Sequence, residues 1–368
     1  MRIAYCIHSL HLFGGVERVL ALKADYLARV CGHEVHIITA NLKGRKPRFV
    51  PDPSIRLTDL GVNENLFPRR YARRLDAELR RIRPDITVSV GGRGMEVLSR
   101  CTDGSRKVAE YHFSHEKFRM KYGGSAIGRL YASWRTRRVE KAAAGLDAFV
   151  VLTESDRGDW EKSVPGVVAI SNPVTFTSAE RSPLERKRAV AVGRLVSQKN
   201  FADAVSAWKA VAVSHPGWTL DIYGEGSLRK ELGKKIQDSG LSGKVRLMGA
   251  SENIHKELLD SSFLLMTSRY EGFPMVLLEA AECGLPMVSY DCPKGPAEII
   301  RNGVNGFLVP AGDVRALSEA AARLADDPSL LRSMGEEARK TASAYGIETI
   351  MAKWNALFTG LLSSSRPA

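Results

Sequence analysis

The stretch Ser268-Arg269-Tyr270-Glu271-Gly272-Phe273-Pro274-Met275-Val276-Leu277-Leu278-Glu279-Ala280 decides the fold. Before it, Phe263-Leu264-Leu265-Met266 is an apolar run of strand length, suited to burial on both faces of a parallel sheet. After it, Met275, Val276, Leu278 and Ala281 recur at helical spacing, and Cys283-Gly284-Leu285-Pro286 supplies a helix stop. The spacing predicts a strand, a tight loop and a helix, with Pro274 near the first helical position, where its missing N–H costs nothing. Glu271 falls in the loop and Glu279 in the second turn of the helix. The backbone N–H groups of Phe273, Met275 and Val276, on either side of Pro274, open the helix at the strand tip, which is an anion site. Two carboxylates beside an anion site suit a ligand that joins phosphate to hydroxyl-rich groups, because a carboxylate accepts hydrogen bonds from a diol. A sugar nucleotide is such a ligand.

With Gly-Phe-Pro-Met between two glutamates eight positions apart, and Ala-Xaa-Xaa-Cys-Gly-Leu-Pro after them, the stretch resembles the signature of the family-4 retaining glycosyltransferases. That resemblance extends over nearly the whole chain. It implies an α/β fold of two Rossmann-like domains facing across a cleft, the GT-B arrangement, with the last helix crossing back to the first domain. The domains expected are residues 1–175 with about 347–368, binding acceptor, and residues 176–346, binding donor.

Composition agrees with two folded domains. The chain has 368 residues, 44% hydrophobic, enough for two full cores. Met1–His8 has one basic residue and a short apolar run broken by His8, which reads as a first strand and not as a signal peptide. No apolar run approaches the ~20 residues that span a bilayer. The five cysteines, Cys6, Cys31, Cys101, Cys283 and Cys292, are scattered and show no metal spacing, so a reduced cytoplasmic location is expected. The net charge of +13 is uneven: 30 Lys and Arg stand against 20 Asp and Glu in residues 1–180, and 24 against 21 in the rest. A basic first half implies an anionic partner, a membrane surface, nucleic acid or a phosphorylated acceptor.

Along the chain, Ile3–Ile7 reads as a strand, then Val16, Val19, Leu20, Lys23, Leu27 and Val30 as a helix face, then 33–39 as the next strand. Gly14-Gly15 between them is either a tight turn or a ligand loop. It is not the dinucleotide fingerprint, which needs three spaced glycines. The resemblance places Gly14 beside the acceptor and Gly15 beside the donor phosphate. Tyr71, Leu75, Leu79 and Ile82 form one stripe of a helix from Pro68 to Pro84, with Arg69, Arg70, Arg73, Arg74, Arg80 and Arg81 around it. A second basic helix is expected from Ile127 to Ala144. Both are read as solvated faces or as patches that rest on anionic lipid. The strand 107–111 ends in His112-Phe113-Ser114-His115. The resemblance sets a histidine there against the transferred sugar, assigned to His112, with His115 on the acceptor side.

Asn172-Pro173 closes the first domain. In the second, 188–192 is a strand leading to Gly193-Arg194 and Lys199. These two cations are ordinary loop charges or the fixed positive charge of a diphosphate site; the match of Gly-Arg-Leu and Gln-Lys to the family's phosphate loop favours the latter. Strands at 219–223 and 244–249 follow, and Gly249 opens the loop where the family holds the base. After the strand 285–290, the chain has Lys294-Gly295-Pro296 where relatives usually carry Gly-Gly before the glutamate, here Glu298. Two helices are expected to finish the chain.

The resulting expectation is a metal-independent hexosyltransferase without a cofactor, taking its sugar from a nucleotide donor. By resemblance to enzymes of lipopolysaccharide, exopolysaccharide and capsule synthesis, that donor is expected to be a UDP-hexose. Its acceptor would be a glycan or a lipid-linked sugar at the inner face of the cytoplasmic membrane. In it Glu271 and His112 are catalytic, and Glu279 holds the ribose. GDP- and ADP-sugar donors are alternatives on the same fold. An NAD-dependent Rossmann oxidoreductase is the rival from another class, and a nucleic-acid-binding protein is suggested by charge alone, with no recognition module visible.

Overall fold

The computed structural model describes residues 1–11, 14–49, 51–91 and 93–364. The chain divides into two compact units, Met1–Thr175 with Ile347–Ala368, and Phe176–Gly346.

The first unit is a seven-stranded parallel sheet: β1 (Arg2–Ile7), β2 (Glu34–Thr39), β3 (Arg56–Asp59), β4 (Ile86–Val90), β5 (Arg106–Tyr111), β6 (Ala148–Val151) and β7 (Val167–Ala169), in the order 3-2-1-4-5-6-7. The second is a six-stranded parallel sheet: β8 (Arg188–Val192), β9 (Thr219–Tyr223), β10 (Val245–Gly249), β11 (Phe263–Met266), β12 (Met287–Asp291) and β13 (Gly306–Pro310), in the order 10-9-8-11-12-13. Both are doubly wound. The strand order reverses beside β1 and β4 in one and beside β8 and β11 in the other, which are the points where such sheets bind ligands at the strands' carboxyl ends.

Helices connect the strands of the first unit: α1 (Gly15–Arg29), α2 (Pro68–Ile82), α3 (Gly94–Leu98), α4 (Lys117–Tyr122), α5 (Ala126–Ala143) and α6 (Glu154–Trp160). The second unit carries α7 (Phe201–Ser214), α8 (Arg229–Asp238), α9 (Ile254–Leu259), α10 (Met275–Glu282), α11 (Pro296–Ile299), α12 (Val314–Asp326) and α13 (Pro328–Ser343). A final helix, α14 (Ile347–Ser363), packs on α1 in the first unit. It buries Ile350, Met351, Trp354 and Phe358 there. The last four residues of the range assigned to it from sequence, 365–368, lie outside the described residues.

Three helices therefore follow β13, not two. Asp327 is the reason. Its side chain accepts from the N–H groups of Ser329 and Leu330, and Pro328 takes the first position of α13, so the chain ends one helix and starts another. The structure also adds β3, an edge strand whose Arg-Leu-Thr-Asp sequence leaves no apolar run to read.

Candidate functional site

In the second unit, β11 is fully buried and feeds the loop 267–274 at its carboxyl end. Pro274 is the residue before α10, extended at φ −79 and ψ 90, so the helix starts at Met275, one position later than the sequence suggests. The side chains of Phe273 and Val276 turn into the protein, and the Phe273 ring lies 5.8 Å from that of Tyr345. Met275 is half-buried, and Glu279, in the second turn of α10, is buried. Glu282, one turn on, accepts from the Ser178 N–H at 2.8 Å and lies 3.5 Å from Arg339. It is a structural carboxylate.

The loop after β8 lies against the loop after β11. Arg269 N donates to Gln198 O at 2.8 Å, Gln198 Nε2 to Tyr270 O at 3.0 Å, and Thr267 Oγ1 to Lys199 O at 2.9 Å. Held this way, Lys199 Nζ reaches Glu271 Oε1 at 2.6 Å. Its aliphatic stem crosses Gly193, where a Cβ would meet three of its carbons at 3.1 to 3.3 Å. Arg194 is exposed beside it, and its guanidinium has no partner among the described residues. Gln198 belongs to the Gln-Lys pair of the phosphate-loop match, but its bond to Tyr270, 72 positions away, was not readable from sequence.

Neighbouring loops complete the rim. Gly249, at the end of β10, has φ +82, and its carbonyl accepts from Gly224 N at 2.7 Å. The loop after β12 lies on the Glu271 loop. Glu271 N faces Pro293 O at 3.5 Å, and a Cβ on Gly295 would fall 2.5 Å from Pro274 Cδ. Lys294 and Gly295 have φ +65 and +100. The chain thus follows a left-handed path that glycine favours, with a lysine at its first position, at a cost of about 1–2 kcal/mol.

In the first unit, Gly14 precedes α1 and Gly15 begins it. A Cβ on Gly14 would fall on the Glu17 carboxylate. His112, just past β5, is buried, and its Nε2 lies 3.3 Å from Glu110 Oε1. Glu110 in turn receives Lys23 Nζ on both oxygens at 2.7 Å. Burial alone would raise the Glu110 pKa, but Lys23 and then His112 outweigh it and hold the carboxyl at about 2. His115 is placed differently. Its N–H donates to Asp156 at 2.8 Å, its Nε2 is 3.7 Å from Glu140, and its ring stands edge-on to Trp160 at 4.7 Å. The His115 ring is thus packed from outside its own loop, whereas the charged partner of His112 comes from its own strand. Sequence reading named neither Lys23 nor Glu110 as a site residue. The signal was there: a cation inside the apolar face of α1 and an acid inside a central strand.

The surface of this unit is distinctive at α5. The helix buries Ala132, Val139, Ala142 and Ala143 and exposes Ile127, Leu130, Tyr131 and Trp134. Cations surround that stripe: Arg129, Arg137 and Lys141 are exposed, and Arg138 lies 4.9 Å from the Trp134 ring. Leu66 and Phe67, just before α2, are also exposed, next to Arg69, Arg70 and Arg73. Among the described residues no helix is long and apolar enough to cross a membrane.

A cation–carboxylate pair, Lys199 and Glu271, thus lies at the switch point of the second sheet. Residues 13–177 match the family described as Glycosyltransferase Family 4, and residues 175–341 match Glycosyl transferases group 1. The chain belongs to these glycosyltransferases, and neither match supports the oxidoreductase reading. It is 28% identical to the amylovoran biosynthesis glycosyltransferase AmsD of Erwinia amylovora, over 93% of this chain and 95% of that protein. It is 41% identical to an exopolysaccharide phosphotransferase of Streptomyces coelicolor over 60% of this chain, which spans only 24% of that longer protein. In fold it is similar to a mutant of S. aureus TarM solved in complex with fondaparinux, alpha-GlcNAc-glycerol and UDP, with a TM-score of 0.82 at 16% identity, over 99% of this chain and all of that one.

Proposed function

We propose that this glycosyltransferase moves a hexose from UDP-hexose, with retention of configuration, to a glycan or lipid-linked acceptor in bacterial surface-polysaccharide synthesis. The observation that carries the donor side is the pairing of Lys199 with Glu271 at the switch point of the second sheet, with exposed Arg194 on the same loop as Lys199. Arg194 and Lys199 take the diphosphate, with the backbone N–H groups at the start of α10. Glu279 accepts from the ribose hydroxyls, the loop at Gly249 holds the base, and Glu271 holds a sugar hydroxyl. His112 is assigned to the transferred sugar, Gly15 to the donor phosphate, and Gly14 and His115 to the acceptor side. Amylovoran synthesis in a relative of nearly equal length, and UDP in a structure of the same fold, support the polysaccharide role and the choice of nucleotide.

In the reaction the bond between the sugar C1 and the β-phosphate oxygen breaks. The acceptor hydroxyl oxygen bonds to C1 from the same face, its proton passes to the departing phosphate oxygen, and UDP leaves. Retention by same-face attack, without an enzyme nucleophile, follows from the family resemblance. The charge that grows on the leaving diphosphate is met by Arg194 and Lys199, groups already fixed in place, which is where electrostatic stabilisation is largest. These cations do the work for which other transferases use a metal, so a metal-independent reaction is proposed.

The exposed stripe of α5 and the basic faces of α2 and α5 support contact with an anionic membrane, where a lipid-linked acceptor would be met. Apolar side chains ringed by cations bind such surfaces by burial and charge together.

A melting-temperature panel with UDP, GDP, ADP, CMP and NAD, in EDTA, tests the donor reading. A ligand at 100 times its Kd stabilises by about 2.7 kcal/mol, which is readily seen. A shift with UDP is expected. A shift with GDP or ADP instead would keep the fold and change the donor, and a shift with NAD alone would overturn the reading.

A further inference from the structure

The geometry points to the buried pair Lys23–Glu110 as the positioning device for His112, with Glu110 fixing the imidazole in the Nε2–H tautomer so that Nδ1 is the nitrogen offered to a sugar hydroxyl. This inference rests on the proposed role of His112 at the transferred sugar.

Four observations carry it. Lys23 and Glu110 are 1% and 2% exposed, so this is a full ion pair removed from water. Such a pair offers little net stability, since apolar residues of similar volume often do as well or better. Its presence in the core of a Rossmann-like unit is therefore a sign of another use. Second, Lys23 satisfies Glu110 symmetrically, at 2.7 Å to each oxygen, yet Glu110 Oε1 also lies 3.3 Å from His112 Nε2. A carboxylate has lone pairs enough for both partners. Third, His112 Nε2 is buried and makes no hydrogen bond among the described residues, while Glu110 Oε1 lies 3.3 Å away as an acceptor within reach. A ring nitrogen that donates to a carboxylate must carry the proton, which leaves the lone pair on the opposite nitrogen. The present alignment falls short of a hydrogen bond, as is common before substrate arrives. Fourth, Lys23 is itself held from behind. The Trp354 ring of α14 stands 3.8 Å from its Nζ, so the helix from the far end of the chain covers the ammonium.

Each member has a separate task. Trp354 and Glu110 keep Lys23 in a site where burial pulls down the pKa of its ammonium. Lys23 keeps Glu110 ionised where burial would otherwise neutralise it. Ionised Glu110 can accept but not donate, and that alone selects the tautomer of His112. A protonated or amide side chain at the same place could donate to Nε2 and reverse the ring's polarity. Glu110 touches neither donor nor acceptor in this scheme, so it acts through His112.

The test compares Glu110→Gln, the double variant Lys23→Met with Glu110→Met, and His112→Ala, using the full-length protein. The double variant removes both charges together and keeps the volume, so its melting temperature is expected close to the parent's. Its kcat is expected to fall about 10- to 100-fold, the usual loss when an orienting partner is removed, with the donor KM and UDP affinity within about twofold of the parent's. Nitrogen-15 spectra of the imidazoles are expected to show the Nε2–H tautomer for His112 in the parent and its loss in Glu110→Gln. Parental kcat in the folded double variant, or an unchanged His112 tautomer in Glu110→Gln, would overturn the inference while leaving the transferase reading intact. Full activity in His112→Ala would overturn the role on which the inference rests.

Discussion

Lys199 and Glu271, 72 positions apart in the chain, meet at 2.6 Å between Nζ and Oε1. The cation assigned to the diphosphate and the carboxylate assigned to the sugar thus neutralise each other before any donor is bound. A diphosphate must share or take over Lys199, which releases Glu271 toward the sugar. Glu271→Gln leaves Lys199 unengaged. UDP is expected to bind this variant as tightly as the parent or a few-fold more tightly, while turnover with the donor falls about 100-fold, the scale of losing one fixed polar group at the reacting centre. Calorimetry with UDP alongside initial rates separates the two. Weaker UDP binding would contradict a pair that restrains the lysine.

Glu279 is buried in the second turn of α10, where a carboxylate can accept from both ribose hydroxyls. Glu279→Gln is expected to weaken UDP about 10-fold, since a hydrogen bond to a charged group contributes about 1.5–3 kcal/mol. The loss should be much smaller for 2′-deoxy-UDP, which offers one hydroxyl fewer. Equal losses for the two nucleotides would remove Glu279 from the ribose.

The stripe Ile127, Leu130, Tyr131, Trp134 makes a prediction that does not involve turnover. Sedimentation with vesicles of mixed phosphatidylglycerol and phosphatidylcholine is expected to carry the parent down and to do so less at high salt. Changing Ile127, Leu130 and Trp134 together to Gln should lower that binding about 10-fold or more and leave the melting temperature unchanged, because these side chains are exposed. Binding that survives the triple change would assign the attraction to charge alone. A parent that forms a dimer disrupted by the same changes would assign the stripe to a second copy.

Lys117 gives a pH dependence. Burial first, and then repulsion from Lys121 and Arg135, push its pKa down to about 7, with its Nζ over the Phe113 ring. An unfolded lysine titrates near ~10.4. Between about pH 7 and 10.4 the unfolded chain holds the extra proton, so this group makes stability rise with pH through that window. Below pH 7 both states are protonated and the penalty is complete. Lys117→Met is therefore expected to melt higher than the parent at pH 6, with the gap narrowing steadily to pH 9. A gap that does not change with pH would mean that Lys117 titrates like an exposed lysine.

Several strands were legible because buried parallel strands leave continuous apolar runs between glycines. β8 and β11 are examples, and the loops after them carry Arg194, Lys199 and Glu271. Helix α2 was legible because Tyr71, Leu75, Leu79 and Ile82 repeat at one helical face and all four are buried. Two features were not legible. Periodicity in α5 reports a stripe but not the side on which it lies, and here the face with Ala132, Val139, Ala142 and Ala143 went inward. Lys23 and Glu110 are 87 positions apart, and only the winding of α1 over the sheet brings them together. A pair of that kind shows in sequence as two misplaced charges and nothing more.

The first unit is built from both ends of the chain, and this sets an order of events during synthesis. At about 5–20 residues per second, the ribosome needs roughly 10–30 s after Thr175 before α14 begins to emerge. Throughout that interval Lys23 and Glu110 lack Trp354 above them, while the second unit, one continuous segment, can close by itself. Of the two units, the one whose sheet is translated first is thus the last to be completed, and a released chain ending at Gly346 would hold a whole second unit beside a first that lacks α14.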